Sequence, residues 1–492
     1  MDASARAAAT EDPAKIPPAT LAVLERLELV ARVADPSPRA PGESSGPPAT
    51  GTTGGLGGTP PPCGPSLAPL SGRAPRLAEL VLSGCAQLAA RGLAEAVPQL
   101  SSLVLRDLDL TDEDLAAIGH LGSLRALELD KVRAPSDLQV RRTAGAPLER
   151  LVLRDLPHRS PLVELVRVHA KTLRTLVLEG RWADSRTLLA AKPARGLVRL
   201  EVLGTRAGDY GLHALAGHEA LREVVLAGRG FTDAAPLYLR DLAVETFACE
   251  CPRLGDAGIG HLRFLEHLTR LRLVEPAASP AGLANLGRAR GLEVIELDGV
   301  ALAPPALEAI GGLERLRALY VSSGALEAED LAPLGRKAHL EALLLRVAGL
   351  DDRRLGTLPV LPALRSLDLA GTAVGDDALH RISAQAALVE LDLSATRVTR
   401  RLGPLAKLRR LVRLDLARTD TVDDGVAHLS DLAHLADLDL SQTLVSTKVL
   451  DHLEAMPGLA RVDLRGTRVD PAAARARLGG RGVTVLLDGG DR

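Results

Sequence analysis

The chain has 492 residues, of which 46% are hydrophobic but only 1% aromatic, so aliphatic side chains must form its core. This length exceeds what one globular core needs and predicts several domains or a repeat array. Lysine and arginine total 60 against 62 for aspartate and glutamate, a net charge of −2 that lacks the basic excess of nucleic-acid binders.

The sequence features that report on compartment favour the cytoplasm. Four cysteines are too few for a disulfide framework, which is typical of a reducing environment. No apolar run reaches the roughly 18 residues needed to span a membrane, and the first residues lack the apolar stretch of a signal peptide. We therefore expect a cytoplasmic protein that does not associate with membranes.

Residues 1–66 are rich in proline, glycine and alanine, and we expect them to be disordered because they cannot bury enough apolar surface to offset chain entropy. Within them, residues 20–34 predict a short amphipathic helix with Thr20 as its N-cap. The edge of the array that follows is then either bare or covered by this helix folding back.

From Leu77 onward, an apolar residue is repeatedly followed by apolar residues three and five places later. There are 17 such starts, each 23 to 25 residues after the previous one, and a final half-repeat begins at Val483. With the start as position 1, positions 4 to 6 predict a strand, and apolar positions 16, 19 and 22 predict one face of a short helix. The starts are Leu77, Leu100, Leu124, Leu148, Leu173, Leu197, Leu221, Val244, Leu268, Leu292, Leu316, Leu340, Leu364, Leu388, Leu411, Leu435 and Leu459.

This pattern resembles the leucine-rich repeat family, whose signature is L-x-x-L-x-L-x-x-N/C-x-L over roughly 20–29 residues. The resemblance covers residues 77–488, within a repeat domain predicted at 67–488 and followed by a tail at 489–492. It implies an α/β fold: a right-handed solenoid, or horseshoe, with a parallel sheet on the concave side and short helices on the convex side. Threonine takes the Asn/Cys place at Thr372, Thr396, Thr419, Thr443 and Thr467.

Aspartate occupies position 5 in five consecutive repeats, where both flanking side chains point inward, so the carboxylate must leave the sheet on its concave side. Neighbours about 5 Å apart repel by ~1 kcal/mol in water, and we expect Arg413, Arg461 and Arg465 to reduce this repulsion. Three interpretations stay open: a family feature that keeps the sheet soluble, a docking strip for a basic partner, or a site for a hard cation. This aspartate file consists of Asp368, Asp392, Asp415, Asp439 and Asp463.

Valine is frequent at the same position nearer the N-terminus. These side chains either merge into an exposed interaction patch or reflect the preference of β-branched residues for strands. The concave face is therefore predicted to be aliphatic toward the N-terminus and acidic toward the C-terminus. The valine file consists of Val81, Val104, Val152, Val177 and Val225.

The positions of histidine and cysteine within the repeats do not favour a catalytic site. All 12 histidines fall on the helical side, in turns or just before strands, away from the aspartate file. Cys249 takes the place of an inward leucine, and with no second Cys/His pair nearby the Cys249-Glu250-Cys251 segment does not indicate a zinc site. We therefore expect no catalytic, cofactor or metal site.

The resemblance implies binding through outward strand positions of several repeats. We expect a non-catalytic scaffold that binds a basic protein partner along the concave face, through the aspartate file with Arg413, Arg461 and Arg465, and secondarily through the valine file. One alternative is a substrate adaptor or regulatory subunit that recruits targets to an enzyme. The least favoured alternative is a hydrolase. The sequence leaves the oligomeric state open.

Overall fold

The computed structural model describes residues 7–10, 25–30, 70, 73–84 and 93–488. The chain divides into two compact units, an N-terminal unit ending at Leu221 and a C-terminal unit beginning at Arg222. In each unit, strands pair in parallel and short helices follow them along the chain, as stacked strand–turn–helix repeats require.

The described part of the N-terminal unit contains eight strands, which pair in sequential order from the first to the last. Strands β1–β8 are Ala7–Thr10, Arg26–Val30, Glu79–Ser83, Ser102–Arg106, Ala126–Asp130, Arg150–Arg154, Thr175–Glu179 and Arg199–Leu203. Helices α1–α4 are Leu93–Ala96, Asp112–Gly119, Glu164–Val168 and Ser185–Leu189, and the 3-10 helices are Val140–Gly145, Pro161–Val163 and Asp209–Leu215.

The C-terminal unit continues the same alternation. Strands β9–β21 are Glu223–Ala227, Thr246–Glu250, Arg270–Val274, Val294–Asp298, Ala301–Leu302, Ala318–Leu326, Ala342–Ala348, Ser366–Asp368, Glu390–Asp392, Arg413–Asp415, Asp437–Asp439, Arg461–Asp463 and Thr484–Leu486. Helices α5–α12 are Ala235–Leu239, Asp256–His261, Pro304–Gly311, Asp352–Gly356, Leu379–Ser383, Asp423–Ala427, Val449–Glu454 and Pro471–Gly479. Its 3-10 helices are Leu262–Phe264, Gly282–Arg288, Ala332–Arg336, Asp376–Ala378 and Gly403–Lys407. Among the described helices, none has the length and apolar character needed to cross a bilayer.

The repeat frame places the core where the sequence predicts it. Leu127 and Leu129 of β5 are buried while Glu128 between them is partly exposed, which is the period of two expected for a strand with one covered face. In the preceding repeat, Leu115 and Ile118 of helix α2 are also buried. The helical face and the strand leucines therefore enclose one continuous apolar layer.

The threonines at the Asn/Cys place close the turn after the strand. Each hydroxyl donates to the carbonyl oxygen three residues earlier, at 2.5–2.7 Å. The acceptor is the residue at position 6, such as Leu393 for Thr396. The hydroxyl thereby gives this carbonyl a hydrogen-bond partner within the repeat.

Aspartates at the start of several helical segments link one repeat to the next. Asp376 accepts hydrogen bonds from both the backbone N–H and the hydroxyl of Thr399, at 2.8 and 2.6 Å. Asp423 does the same for Ser446, at 2.8 and 2.6 Å. These charge-assisted bonds join neighbouring repeats outside the sheet and add to their apolar stacking.

The helix predicted at residues 20–34 is wrong in its described part, because Arg26–Val30 forms strand β2. It pairs with β1 on one side and β3 on the other, and Leu27 is fully buried. The segment Leu24-x-x-Leu27-x-Leu29 carries the repeat pattern, so pairing with an edge strand prevails over local helix propensity.

In the described residues the edge strand of the sheet is therefore β1 and not β3, since β2 and β1 extend the sheet beyond β3. The prediction of disorder over residues 1–66 does not hold at Ala7–Thr10 and Arg26–Val30. Most of this region, including Thr20, and the predicted tail at 489–492 lie outside the described residues.

We predict that Leu27→Asp will detach β2, because a carboxylate cannot be buried unpaired between stacked leucines. Amides of Glu79–Ser83 should then exchange with solvent at least about tenfold faster in hydrogen-exchange mass spectrometry. Amides of Arg461–Asp463 in the other unit are the internal control and should not change. Unaltered protection of Glu79–Ser83 would contradict the docking of β2.

Candidate functional site

Strands β16–β20 bring the aspartate file together on the open face of the sheet, the face opposite the helices. The five aspartates lie in register, each directly opposite the next, from Asp368 on β16 to Asp463 on β20. Their leucine and valine neighbours at positions 4 and 6 are buried, which directs the carboxylates outward. Successive carboxylates are separated by the strand spacing of roughly 4.8 Å.

Each aspartate also has a local structural role that the sequence analysis missed. Its Oδ1 atom accepts a hydrogen bond from the backbone N–H two residues later, at 2.8–3.0 Å. This Asx-type turn ends the strand and starts the bend toward the helix. An acidic residue at the last position of a strand is the sequence feature that could have predicted this turn. The turn in its own right explains why aspartate recurs there.

Arginines neutralise both ends of the file. Arg346 on β15 donates from Nε to Asp368 at 2.8 Å and from Nη2 to Asp392 at 3.2 Å. Arg465 donates from Nε to both carboxylate oxygens of Asp463, at 3.0 and 3.1 Å, and the Asp463 side chain is only 5% exposed. Arg346 was not predicted, because it lies two residues beyond position 5 and reaches across to the next two strands.

Two of the three predicted arginines form no ion pair with the file, although the charge of Arg413 does lower the pKa of Asp415 as expected of a cation that reduces the repulsion. Arg413 and Arg461 both lie at position 3 and pair with Asp437, at 3.0 and 4.0 Å. Asp415 and Asp439, at the centre of the file, therefore form no ion pair with any residue that the structure describes.

The central carboxylate Asp415 is held in an unfavourable environment. Partial burial, followed by repulsion from Asp392 and Asp439, raises its pKa to about 6, although the Ala417 N–H acts in the opposite direction. The file lines a shallow recess of about 260 Å³. The recess is thus a concave acidic surface whose central carboxylates form no ion pair with a described residue, although Arg413 and Arg461 also line it.

We predict that Asp415→Asn will stabilise the protein at pH 7. The folded state binds more protons than the unfolded state between about pH 4 and 6, so stability falls as the pH rises through this range and the loss is nearly complete at pH 7. Asparagine keeps the Oδ1 acceptor for Ala417 and removes the charge. We expect the free energy of unfolding to rise by about 1–2 kcal/mol at pH 7 and to change little at pH 3.

Asp415→Ala is the matched control for this measurement by urea titration. It removes the charge and also the bond to the Ala417 N–H, so its gain should be smaller than that of asparagine by about 1 kcal/mol. Equal stability of wild type and Asp415→Asn at pH 7 would show that the charge of Asp415 does not destabilise the folded state.

The valine file does not form the predicted exposed patch. Val81, Val104, Val152 and Val177 are at most 6% exposed, and Val225 in the C-terminal unit is half-buried. A file of short side chains lies below the level of the longer side chains on either side of it. The aliphatic half of the predicted two-toned face is therefore covered.

Ion pairs cross the open face of the N-terminal unit beside these valines. Arg106 contacts Glu28 at 3.9 Å and Glu128 at 3.7 Å, and Arg154 contacts Glu128 and Glu179, both at 2.8 Å. Arginines and glutamates thus alternate across successive strands. This surface is self-neutralised, in contrast to the centre of the aspartate file.

The histidines lie away from the aspartate file, and no described strand contains one. His169 and His218 are buried beside the helical side, where His169 Nε2 is 2.9 Å from the Thr143 hydroxyl and His218 Nε2 is 3.2 Å from the Ala191 carbonyl. Burial lowers the pKa of His169 to about 4 and lowers that of His218. Both imidazoles are therefore neutral groups bonded into the array near neutral pH.

Cys249 lies in the core as predicted, 2% exposed, but the structure joins it to Cys251 in a disulfide that was not predicted. The two residues are two apart at the end of β10, with Cα atoms separated by 5.3 Å, within the range that a disulfide spans. Within the described ranges, no cluster of three or more His, Cys, Asp or Glu side chains is arranged to hold a metal ion.

Comparisons with known proteins identify the fold. No protein-family model and no curated protein matches the sequence. RP105, from the mouse RP105/MD-1 complex, is 16% identical, with a TM-score of 0.55 over 84% of this chain and 74% of that one. TLR13, from its complex with ssRNA13, is 15% identical, with a TM-score of 0.52 over 94% of this chain and 75% of that one.

An LRR protein of Leptospira interrogans is 15% identical, with a TM-score of 0.41 over 81% of this chain and 94% of that one. RP105 and TLR13 are leucine-rich repeat proteins. The chain is thus an α/β protein built from parallel strands and short helices. More particularly, its fold is the leucine-rich repeat solenoid, which confirms the prediction from the 24-residue period.

Proposed function

We propose that this protein is a non-catalytic scaffold that binds a basic protein segment across the aspartate file of its C-terminal unit. The observation that carries the proposal is the unpaired centre of the file. Among the described residues Asp415 and Asp439 form no ion pair, although arginines neutralise the carboxylates at both ends. A lysine or arginine from a partner would supply a positive charge and relieve the repulsion from Asp392 and Asp439, which adds to the effect of burial on the pKa of Asp415.

The fold supports a binding role, since RP105 was solved in complex with MD-1 and TLR13 in complex with ssRNA13. For this chain a nucleic-acid ligand is disfavoured, because the acidic recess would repel phosphates. An adaptor role loses its motivating feature, because the segment expected to form an independent helix contributes a strand to the array. A cytoplasmic location belongs to this proposal and stays a prediction.

The proposal is tested by affinity capture from native lysate, read by mass spectrometry. The bait is the full chain or a variant in which all five residues of the aspartate file are changed to Asn, which preserves the turn acceptors. We expect a protein with a basic segment to bind the wild type and to be lost, by at least about tenfold, with the variant.

The matched control removes five exposed acidic charges elsewhere and should retain the partner. Its substitutions are Asp241→Asn, Glu329→Gln, Asp377→Asn, Asp424→Asn and Asp431→Asn. Retention of every partner by both variants would refute the aspartate file as the interface.

Binding of the partner is also predicted to weaken on mild acidification. With a pKa of about 6, Asp415 is roughly three-quarters protonated at pH 5.5 and almost fully ionised at pH 7.5. We expect calorimetric affinity to fall by up to about fourfold from pH 7.5 to 5.5, with a much smaller change for Asp415→Asn. An equal pH dependence in the variant would assign the effect to other groups.

A further inference from the structure

A second depression lies on the open face of the C-terminal unit, beside the aspartate file. It occupies about 430 Å³ over strands β11–β15. Tyr320 and Leu344 lie opposite each other in register at position 5, and both are half-exposed. Leu344 in turn lies opposite Asp368, so the row of outward side chains changes from apolar to acidic within one strand.

The polar groups around this depression are already bonded to one another. Arg272 pairs with Glu296 at 3.7 Å, and the Ser322 hydroxyl donates to Asp298 at 2.9 Å. Arg346 is committed to the carboxylates of the aspartate file. Since these polar groups have partners, the surface left for a ligand is the apolar pair Tyr320 and Leu344. We name this depression the Tyr320/Leu344 groove.

We propose that the Tyr320/Leu344 groove holds an aliphatic or aromatic side chain of the same basic segment that binds the aspartate file. This inference rests on the proposed function and specifies the partner's chemistry. The two surfaces are continuous, because Arg346 lines the groove and binds Asp368 and Asp392. The acidic surface attracts the basic segment, and the groove buries an apolar anchor beside the acidic contact.

The sheet sets the spacing of the two anchors. Leu344 on β15 and Asp415 on β18 are three strands apart, roughly 14 Å at ~4.8 Å per strand. An extended segment that crosses the strands advances about 3.4 Å per residue. The partner should therefore carry its apolar side chain about four residues from a lysine or arginine.

The test is a display selection of random 12-residue peptides against the full chain. We expect enrichment of peptides with an apolar residue about four positions from a basic one. Against Leu344→Asn or Tyr320→Ala, the apolar preference should disappear while the basic preference remains. Against the chain with Asn throughout the aspartate file, the basic preference should disappear.

A selected peptide is then compared with its apolar→Gly derivative by fluorescence anisotropy on the wild-type chain. We expect the derivative to bind about tenfold more weakly, and this comparison needs no protein variant that could fail to fold. Leu344→Ile is the conservative control and should retain most of the affinity.

The possible outcomes separate the two proposals. Enrichment of basic peptides without an apolar residue at fixed spacing would overturn the groove and leave the proposed function standing. Peptides selected without a basic preference would overturn both. A spacing preference that persists in Leu344→Asn and Tyr320→Ala would place the apolar contact elsewhere and overturn the assignment to the Tyr320/Leu344 groove.

Discussion

A repeat of about 24 residues cannot bury its own leucines, and this constraint underlies every other feature of the molecule. The side chains at positions 4 and 6 of each strand enter an apolar layer that forms only when the next repeat stacks on it. Stacking in parallel places equivalent side chains side by side at the strand spacing. The inward leucines become buried by this arrangement, and equivalent outward side chains are brought close together.

The same stacking makes the carboxylates of neighbouring repeats repel one another, and this repulsion is compensated unequally along the aspartate file. All five carboxylates bond a backbone N–H of their own turn, which anchors them in place. Arg346 and Arg465 then compensate the two ends, while Arg413 and Arg461 are occupied by Asp437. The local turn accounts for the presence of aspartate, but it does not account for the missing cation at Asp415 and Asp439.

The period kept from Leu77 to Leu459 predicted strand–turn–helix repeats, and the resemblance to leucine-rich repeats that it carries, together with the threonines at the turn, implied the fold. The period failed where an interaction runs between repeats. The strand at Arg26–Val30 was misassigned because its repeat motif is far in sequence from Leu77 and competes with a helical pattern. The valines were expected on the surface because neither the sequence nor its period reports the height of adjacent side chains. Arg346 was missed because its reach across two strands depends on a rotamer.

The ion pairs at the two ends of the aspartate file affect how a ligand aligns with the repeats. A regular array is degenerate for a ligand, because a shift by one repeat, roughly 4.8 Å, presents nearly the same surface. Arg346 and Arg465 limit that degeneracy: a cation displaced from Asp415 to Asp392, or from Asp439 to Asp463, meets a carboxylate that already has a partner. The two arginines thus restrict an incoming cation to the two central carboxylates of the file.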